Sequence, residues 1–161
     1  MNILLFSQRF WPENFRINHI AEKLSNKNKI FVVTEKPNYP NGKINKKYLR
    51  SRFYFERWNK IKIYRSPTIE RGKSKKIRLL LNYTWFIIFS PMILFNEFKK
   101  IKIDIIFIYA TSPIFQALPA IIFGKLFKIP VVLWVQDIWP YVLKDLNIVK
   151  KKIILNLINF F

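Results

Sequence analysis

Four short runs of apolar residues constrain the fold of this chain more than any other feature of its sequence. They are residues 3–6, 30–33, 105–108 and 131–135. Each run is continuous rather than alternating, which is typical of strands covered on both faces of a parallel sheet. Such strands require layers of helices on both sides, so the runs predict an α/β protein.

Helical patterns separate these runs. Apolar residues spaced at i, i+3, i+4 and i+7 begin at Ile17 and end at Leu24. A second helix is predicted over residues 114–128, with Ser112 as its N-cap and Pro113 as its first helical residue. The repeated strand–helix–strand order predicts a Rossmann-like open parallel sheet flanked by helices.

The middle of the chain is less regular. Residues 51–66 read as two strands joined at Asn59 and Lys60, and the second strand alternates apolar with basic residues. Residues 35–48, with two prolines and an Asn-Gly pair, read as a loop.

Residues 79–95 hold few polar side chains, although a surface helix should show a wide polar face. Their length is at the low end of the roughly 17–25 residues that span a bilayer. Pro91 interrupts them, and basic residues flank both ends, whereas a spanning helix usually has its Lys/Arg excess on one side. We predict that one face packs on the sheet and the other lies in a membrane interface. A buried core helix and a true span are the alternatives. The expected membrane contacts are Leu79, Trp85, Phe86, Ile87 and Phe89.

The amino-acid composition limits the kinds of catalytic and metal site that this chain can form. At 161 residues the chain has the length of one domain. It has no cysteine and a single histidine, His19, so disulfides and thiolate metal sites are excluded and a histidine-based catalytic or metal site is not expected. No metal or cofactor is predicted. The apolar run at residues 3–6 is shorter than the roughly 7–15 residues of an export signal, which favours a cytoplasmic protein.

The net charge of +20 attracts phosphates on nucleic acids, lipid head groups or small substrates. Part of this excess follows from a composition rich in Lys, Asn, Ile and Phe. A nucleic-acid partner is not predicted, because the sequence lacks an RNP motif, a zinc module and a recognition helix with ordered basic residues.

Ligands of open α/β sheets bind beyond the carboxyl ends of the strands. After the first strand, Asn14 is a candidate N-cap and Arg16 lies in the first turn of the helix, so the pair could bind an anion or merely cap the helix. After the third run, Ser112 could contact a ligand or cap a helix. After the fourth run, Gln136 and Asp137 could act on a hydroxyl or hold a turn.

Four segments in order resemble a known family: residues 7–18 (SQRFWPENFRIN), 37–43 (PNYPNGK), 112–120 (SPIFQALPA) and 134–140 (WVQDIWP). Together they resemble the N-terminal domain of family 4 glycosyltransferases, in the group that builds bacterial O-antigen, capsule and colanic-acid polysaccharides. The resemblance implies one lobe of a GT-B fold, in which two Rossmann-like domains face each other across a cleft and no metal is obligatory.

The resemblance also implies roles for the edge loops. Asp137 would orient or deprotonate the acceptor hydroxyl, while Asn14, Arg16, Ser112 and Gln136 would face phosphate or sugar. Many family members carry a Gly-Gly pair where this chain has Glu13 and Asn14. His19 departs from the subgroup, which commonly has aspartate there, and is expected to be a surface helix residue. The implied donor is a nucleotide sugar, and the acceptor is a polyprenyl-diphosphate-linked saccharide.

The expected organisation is a family 4-like N-terminal domain over residues 1–149, with residues 150–161 starting a further helix. The donor-binding C-terminal domain is expected to be absent, either through truncation or because a separate polypeptide supplies it. We therefore expect no transferase activity from the isolated chain, since one lobe cannot position both reactants. The expected location is the inner face of the plasma membrane, on an anionic surface. The alternative is a non-catalytic membrane-associated subunit that recruits a donor-domain partner.

Overall fold

A computed structural model of the chain describes residues 1–72, 76–111 and 113–136. Within these ranges the strands form one sheet in the order β3-β4-β2-β1-β5-β6. The strands are β1 (Asn2–Phe6), β2 (Lys29–Glu35), β3 (Tyr54–Trp58), β4 (Ile61–Ser66), β5 (Ile105–Ala110) and β6 (Val131–Val135). The helices are α1 (Arg16–Ser25), α2 (Lys76–Ile93) and α3 (Leu118–Phe127). All neighbouring strands pair in parallel except β3, which pairs antiparallel with β4. The predicted Rossmann-like α/β fold is confirmed.

The continuous apolar runs became strands because both of their faces are covered. Leu4 and Phe6 of β1 point to the layer that contains α2 and α3. Ile3 and Leu5 point to the opposite layer, where α1 packs. The predicted hairpin over residues 51–66 is also confirmed, and Asn59 makes its turn in the left-handed region (φ 52°), which asparagine tolerates better than most residues.

The chain reverses its direction of winding at β1. It passes from β1 through α1 to β2 on one side, and α2 then carries it back past β1 to β5 on the other side. The loops that follow β1 and β5 therefore diverge from neighbouring strands. In this fold class a ligand crevice forms at such a switch point.

Two predicted helix starts are wrong. The N-cap of α1 is Phe15 and not Asn14, and no side-chain oxygen from the described residues caps this helix. Pro113 has extended dihedral angles and precedes a short 3₁₀ turn (Ile114–Ala117), so it is not the first residue of an α-helix. That turn leads into α3, which has its own proline, Pro119, at its start. Ser112 and Asp137 lie outside the described residues.

Helix α2 continues through Pro91 and ends in a π-helical turn (Leu94–Phe98). Asn82, Phe86 and Ser90, one helical turn apart, are all fully buried on the side that faces the sheet. The Phe86 ring packs on Phe6, with centroids 5.2 Å apart. The expected membrane contact at Phe86 is therefore wrong. The other four expected contacts, Leu79, Trp85, Ile87 and Phe89, are half-buried.

The opposite side of this helix is exposed and mostly apolar. We call it the apolar face; its members are between 37% and 74% exposed and are Ile77, Leu80, Leu81, Ile88, Met92 and Phe95. Among the described residues, the segment from Ile77 to Phe98 is the one helix long and apolar enough to cross a membrane. Its buried side is nevertheless part of the domain core, so the helix is a layer of this fold.

Candidate functional site

A buried polar network lies where the strands end at the carboxyl edge of the sheet. Its members are at most 6% exposed and are Gln8, Arg9, Glu13, Glu35, Asn38 and Asn82. Arg9 is central, because its Nη1 atom lies 2.5 Å from Glu35 Oε1 and 3.6 Å from Glu13 Oε1. The same guanidinium donates hydrogen bonds to Asn38 Oδ1 (3.0 Å) and Asn82 Oδ1 (3.4 Å). One cation thus serves two carboxylates and two amides inside the protein.

The network joins segments that are far apart in sequence. Asn82 of α2 donates to Glu35 Oε2 (3.1 Å) and to the carbonyl of Ile69 (2.9 Å). The backbone N–H of Gln8 donates to Gln116 Oε1 (3.0 Å), which ties the loop after β1 to the turn after β5. These bonds fix both loops of the switch point relative to α2.

Glu13 holds the loop after β2 against the loop after β1. Its Oε1 atom accepts the backbone N–H groups of Asn38 (2.7 Å) and Tyr39 (2.6 Å). The Phe15 and Tyr39 rings pack with centroids 5.6 Å apart. Segments 7–18 and 37–43, which the family resemblance brought together as motifs, are therefore in direct contact.

Burial sets the protonation of the two carboxyls. Desolvation raises the pKa of the Glu35 carboxyl above its ordinary value, although Arg9 and the hydrogen bond from Gln8 oppose this. Desolvation likewise raises the pKa of Glu13, against the opposing charge of Arg9. The charge of Arg9, joined at Glu13 by that of Arg65, does not fully offset the burial of two negative charges, so these carboxyls hold their protons more tightly than exposed ones.

A second buried arginine anchors the same loops from β4. Arg65 is 1% exposed, and its Nε donates to Glu56 Oε1 at 2.6 Å. Its two terminal nitrogens donate to the backbone carbonyls of Glu35 (2.9 Å) and Trp11. Trp11 in turn stacks on Trp58, with ring planes only 12° apart. The buried donors and acceptors at the carboxyl edge of the sheet are bonded to one another, so they fix the conformation of its loops. Contact with a ligand would then come from more exposed groups at this edge.

The exposed polar groups at this edge include the predicted residues Asn14 and Arg16. Arg16 is the first residue of α1, whose first turn has no acidic residue and no side-chain cap from the described part of the chain. The Asn18 N–H of this turn donates to the Phe15 carbonyl (3.0 Å), and the amides before it, together with the Arg16 guanidinium, favour a negative ligand. This end of α1 can therefore hold a phosphate group.

Gln136 follows β6 and is half-buried. Its backbone N–H donates to the carbonyl of Ala110 (2.9 Å), which continues the pairing of β6 with β5. The Nε2 atom of Gln116 donates hydrogen bonds to the backbone carbonyl of Thr111 and to Thr111 Oγ1 (3.0 Å). The loops after β1, β5 and β6 thus leave from adjacent strands, while the predicted residues Ser112 and Asp137 are not described.

Sequence reasoning missed the buried network. Three of its members, Gln8, Arg9 and Asn38, lie within the quoted segments but were given no role, and Asn82 is one of the few polar residues in the apolar stretch at residues 79–95. That rarity was the available signal, because an amide in an apolar helix needs a hydrogen-bonding partner wherever it is buried. Among the described residues, no group of three or more His, Cys, Asp and Glu side chains is placed to hold a metal ion.

No protein-family model matches the chain, and no curated protein matches it. The family resemblance of the four segments therefore stays a prediction.

Proposed function

We propose that this chain is the acceptor-side lobe of a two-lobed glycosyltransferase that adds a sugar to a lipid-linked diphosphate acceptor. The observation that carries the proposal is the uncapped N-terminus of α1 at the switch-point edge, with Arg16 and Asn14 exposed beside it. A diphosphate is the kind of ligand that such a helix end favours. Two of the segments that resemble family 4 glycosyltransferases, 7–18 and 37–43, meet at this same edge.

In this proposal the residues divide into two roles. The buried network around Arg9 positions the loop that presents Asn14 and Arg16. Gln136, at the end of β6, and the adjoining Asp137 would face the acceptor hydroxyl. Asp137 would take its proton as the sugar arrives from a donor held by a second lobe.

The proposal places the acceptor lipid in a membrane that the apolar face of α2 contacts. Exposed Ile77, Leu81 and Ile88 follow one side of the helix. Arg78 near its start and Lys99 and Lys100 beyond its end are exposed as well. An apolar stripe with basic ends suits the interface of an anionic bilayer.

Binding of a short prenyl diphosphate tests the phosphate site without requiring transfer. Geranyl diphosphate is expected to bind at least about tenfold more tightly than geraniol, because charge-assisted hydrogen bonds to phosphate contribute about 1.5–3 kcal/mol each. The substitution Arg16→Gln is expected to weaken the diphosphate about tenfold. Titration calorimetry on the full chain measures both differences.

The matched control is Lys23→Gln, which removes the same charge from the last turn of the same helix. It should leave the affinity for geranyl diphosphate within about twofold of the parent, since the helix dipole favours anions only at the other end. Equal weakening by both substitutions would show that general positive charge binds the ligand, and would contradict the proposal.

A further inference from the structure

A groove lies on the side of the sheet where α2 stops short of covering the β3–β4 hairpin. It has a volume of about 450 Å³ and is lined mainly by aromatic side chains, a methionine and one carboxylate. The residues that matter here are Phe53, Phe55, Tyr64, Met92 and Glu97. This volume lies within the roughly 300–1,000 Å³ of small-molecule sites. The groove is distinct from the switch-point edge, which is formed by the ends of β1, β5 and β6.

Glu97 differs from the other carboxylates of the described residues. It is exposed on the π-helical turn, and no hydrogen bond or ion pair joins it to any described residue. The other described carboxylates all have such partners; they are Glu13, Glu22, Glu35, Glu56, Glu70 and Asp104. Glu22, Glu70 and Asp104 are bonded to amide groups rather than to cations, so Glu97 is set apart by having neither an amide nor a cation as a partner among the described residues.

The aromatic rings beside Glu97 provide a second attraction for a cation. The Phe55 and Tyr64 rings have centroids 5.0 Å apart and are tilted by 57°, so neither ring covers the other. Neighbouring rings already hold cations of the protein: Arg52 lies 4.8 Å from the centroid of Phe89. Within the described residues no such cation lies over Phe55 or Tyr64. Tyr64 also packs edge-on against Phe98, with ring centroids 5.1 Å apart, so a ligand cation would reach the Phe55 and Tyr64 rings from the groove that they line.

Arg65 also lines the groove, but it does not oppose a cationic ligand. It is 1% exposed and its guanidinium is paired with Glu56 at 2.6 Å. Burial and then the negative charge of Glu97 raise the pKa of the Tyr64 hydroxyl, against the opposing charge of Arg57, so Tyr64 stays neutral near physiological pH. Glu97 thus supplies the unpaired charge at this groove.

We infer that the groove between the β3–β4 hairpin and the end of α2 binds an organic ammonium ion, with Glu97 as the counter-ion and Phe55 and Tyr64 as π donors. An ammonium group with small apolar substituents satisfies the carboxylate, the rings and Met92 together. The source of this group is either a free amine or the head group of an aminophospholipid. The inference does not depend on sugar transfer, because it uses none of the residues of the switch-point edge.

A comparison of choline with its neutral isostere 3,3-dimethylbutan-1-ol tests the charge requirement on the full chain. The two molecules have the same shape, so an apolar groove would bind them equally. We expect choline to bind at least about tenfold more tightly, as desolvated cation–π contacts and a carboxylate predict. NMR titration, followed on the aromatic resonances, gives both dissociation constants and reports the site.

Matched variants locate the site. Glu97→Gln and Phe55→Leu are each expected to weaken choline about tenfold, and both replace exposed side chains, so the fold should persist. The control Glu22→Gln removes an exposed carboxylate from α1, on the other face of the sheet, and should leave choline binding unchanged. Equal affinity for the neutral isostere, or unchanged binding by Glu97→Gln, would overturn the inference.

Vesicles distinguish the two sources of the ammonium group. If the ligand is a head group, phosphatidylethanolamine added to phosphatidylglycerol vesicles should strengthen binding of the parent but not of Glu97→Gln. If the ligand is a free amine, both proteins should respond equally to the added lipid while choline still binds only the parent in solution.

Discussion

Glu35 shows how a single side chain can organise an edge of this sheet. It ends β2, its carboxylate meets Arg9 at 2.5 Å, and Asn38 and Asn82 donate to it at 3.0 and 3.1 Å. The loop after β1 and helix α2 are therefore bonded to the same carboxylate. Since Glu35 is also fully buried, its ionisation is coupled to the stability of the whole domain.

Stability should depend on pH through Glu35 and Glu13. Burial raises the pKa of both carboxyls, so the folded protein holds protons that the unfolded chain releases. Their contribution to stability is fully present below about 4.5, the ordinary value, and is lost as the pH rises through the raised values. Each unit by which a pKa is raised corresponds to about 1.4 kcal/mol.

Urea unfolding of the parent and of Glu35→Gln between pH 5 and pH 8 measures this effect. Glutamine keeps the shape but has no charge to bury, so the free energy of unfolding of the variant relative to the parent should rise with pH. Glu22→Gln, at an exposed position, should parallel the parent. A constant difference between Glu35→Gln and the parent over this range would contradict the raised pKa of Glu35.

Individual positions were only partly predictable from the sequence. His19 is exposed on α1, as expected, and Arg16 lies at the start of that helix. Asn14 was a reasonable N-cap by residue type, but the chain uses Phe15, with the cap position left without a side-chain oxygen. Glu13 lies only four residues after Arg9, but the other partners of Arg9, which are Glu35, Asn38 and Asn82, lie in other segments of the chain. Local sequence patterns contain no information about such distant pairing.

At the level of elements, α2 is the part of the fold that the sequence described least well. Its buried side carries Asn82 and Ser90, while its exposed side carries Ile77, Leu81 and Ile88. This is the reverse of the usual arrangement of a surface helix. Hydrophobic periodicity could not show which face packs on the sheet, because nearly every position of the helix is apolar. The strands, with both faces buried, did not present this ambiguity.

A pair of truncations tests the orientation of α2. Phe86→Ala should lower the free energy of unfolding by about 3–5 kcal/mol, because it leaves a cavity against Phe6 in the core. Ile88→Ala, two residues further and exposed, should change it by about 0.5 kcal/mol or less. Denaturant unfolding in water gives both values. Similar losses for the two variants would mean that Phe86 does not face the sheet.

For the whole molecule, the order of elements was enough to predict the architecture. Continuous apolar runs alternating with helices permit few arrangements, and right-handed parallel crossovers reduce them further. The sheet order with β1 beside β5 is consistent with those rules. The positions of apolar and charged patches on the surface were less predictable, because they depend on which face of each helix packs on the sheet.

The proposed membrane association is a property of the whole molecule, because it would depend on both the apolar face and the net charge of +20. Leu81→Gln with Ile88→Gln should weaken binding to phosphatidylglycerol vesicles at least about tenfold, since full burial of each side chain contributes about 1.5–3 kcal/mol. Vesicle sedimentation measures the change, and added salt should weaken the parent further.

The control carries Tyr39→Gln and Leu49→Gln, which remove two exposed apolar side chains from the segment between β2 and β3. It should sediment with vesicles as the parent does. If the two double variants lose binding equally, apolar surface of any kind is sufficient, and α2 has no special part in it.

The buried amide of Asn82 has a consequence for how the domain selects one folded state. Since Ile88 and Leu81 on the exposed side are as apolar as Phe86, hydrocarbon burial alone does not determine which side of α2 faces the sheet. A rotation of the helix about its axis would, however, break the hydrogen bonds that Asn82 donates to Glu35 Oε2 (3.1 Å) and to the Ile69 carbonyl (2.9 Å). Burial of apolar side chains therefore holds this helix against the sheet, and the hydrogen bonds of one buried amide fix its orientation about its own axis.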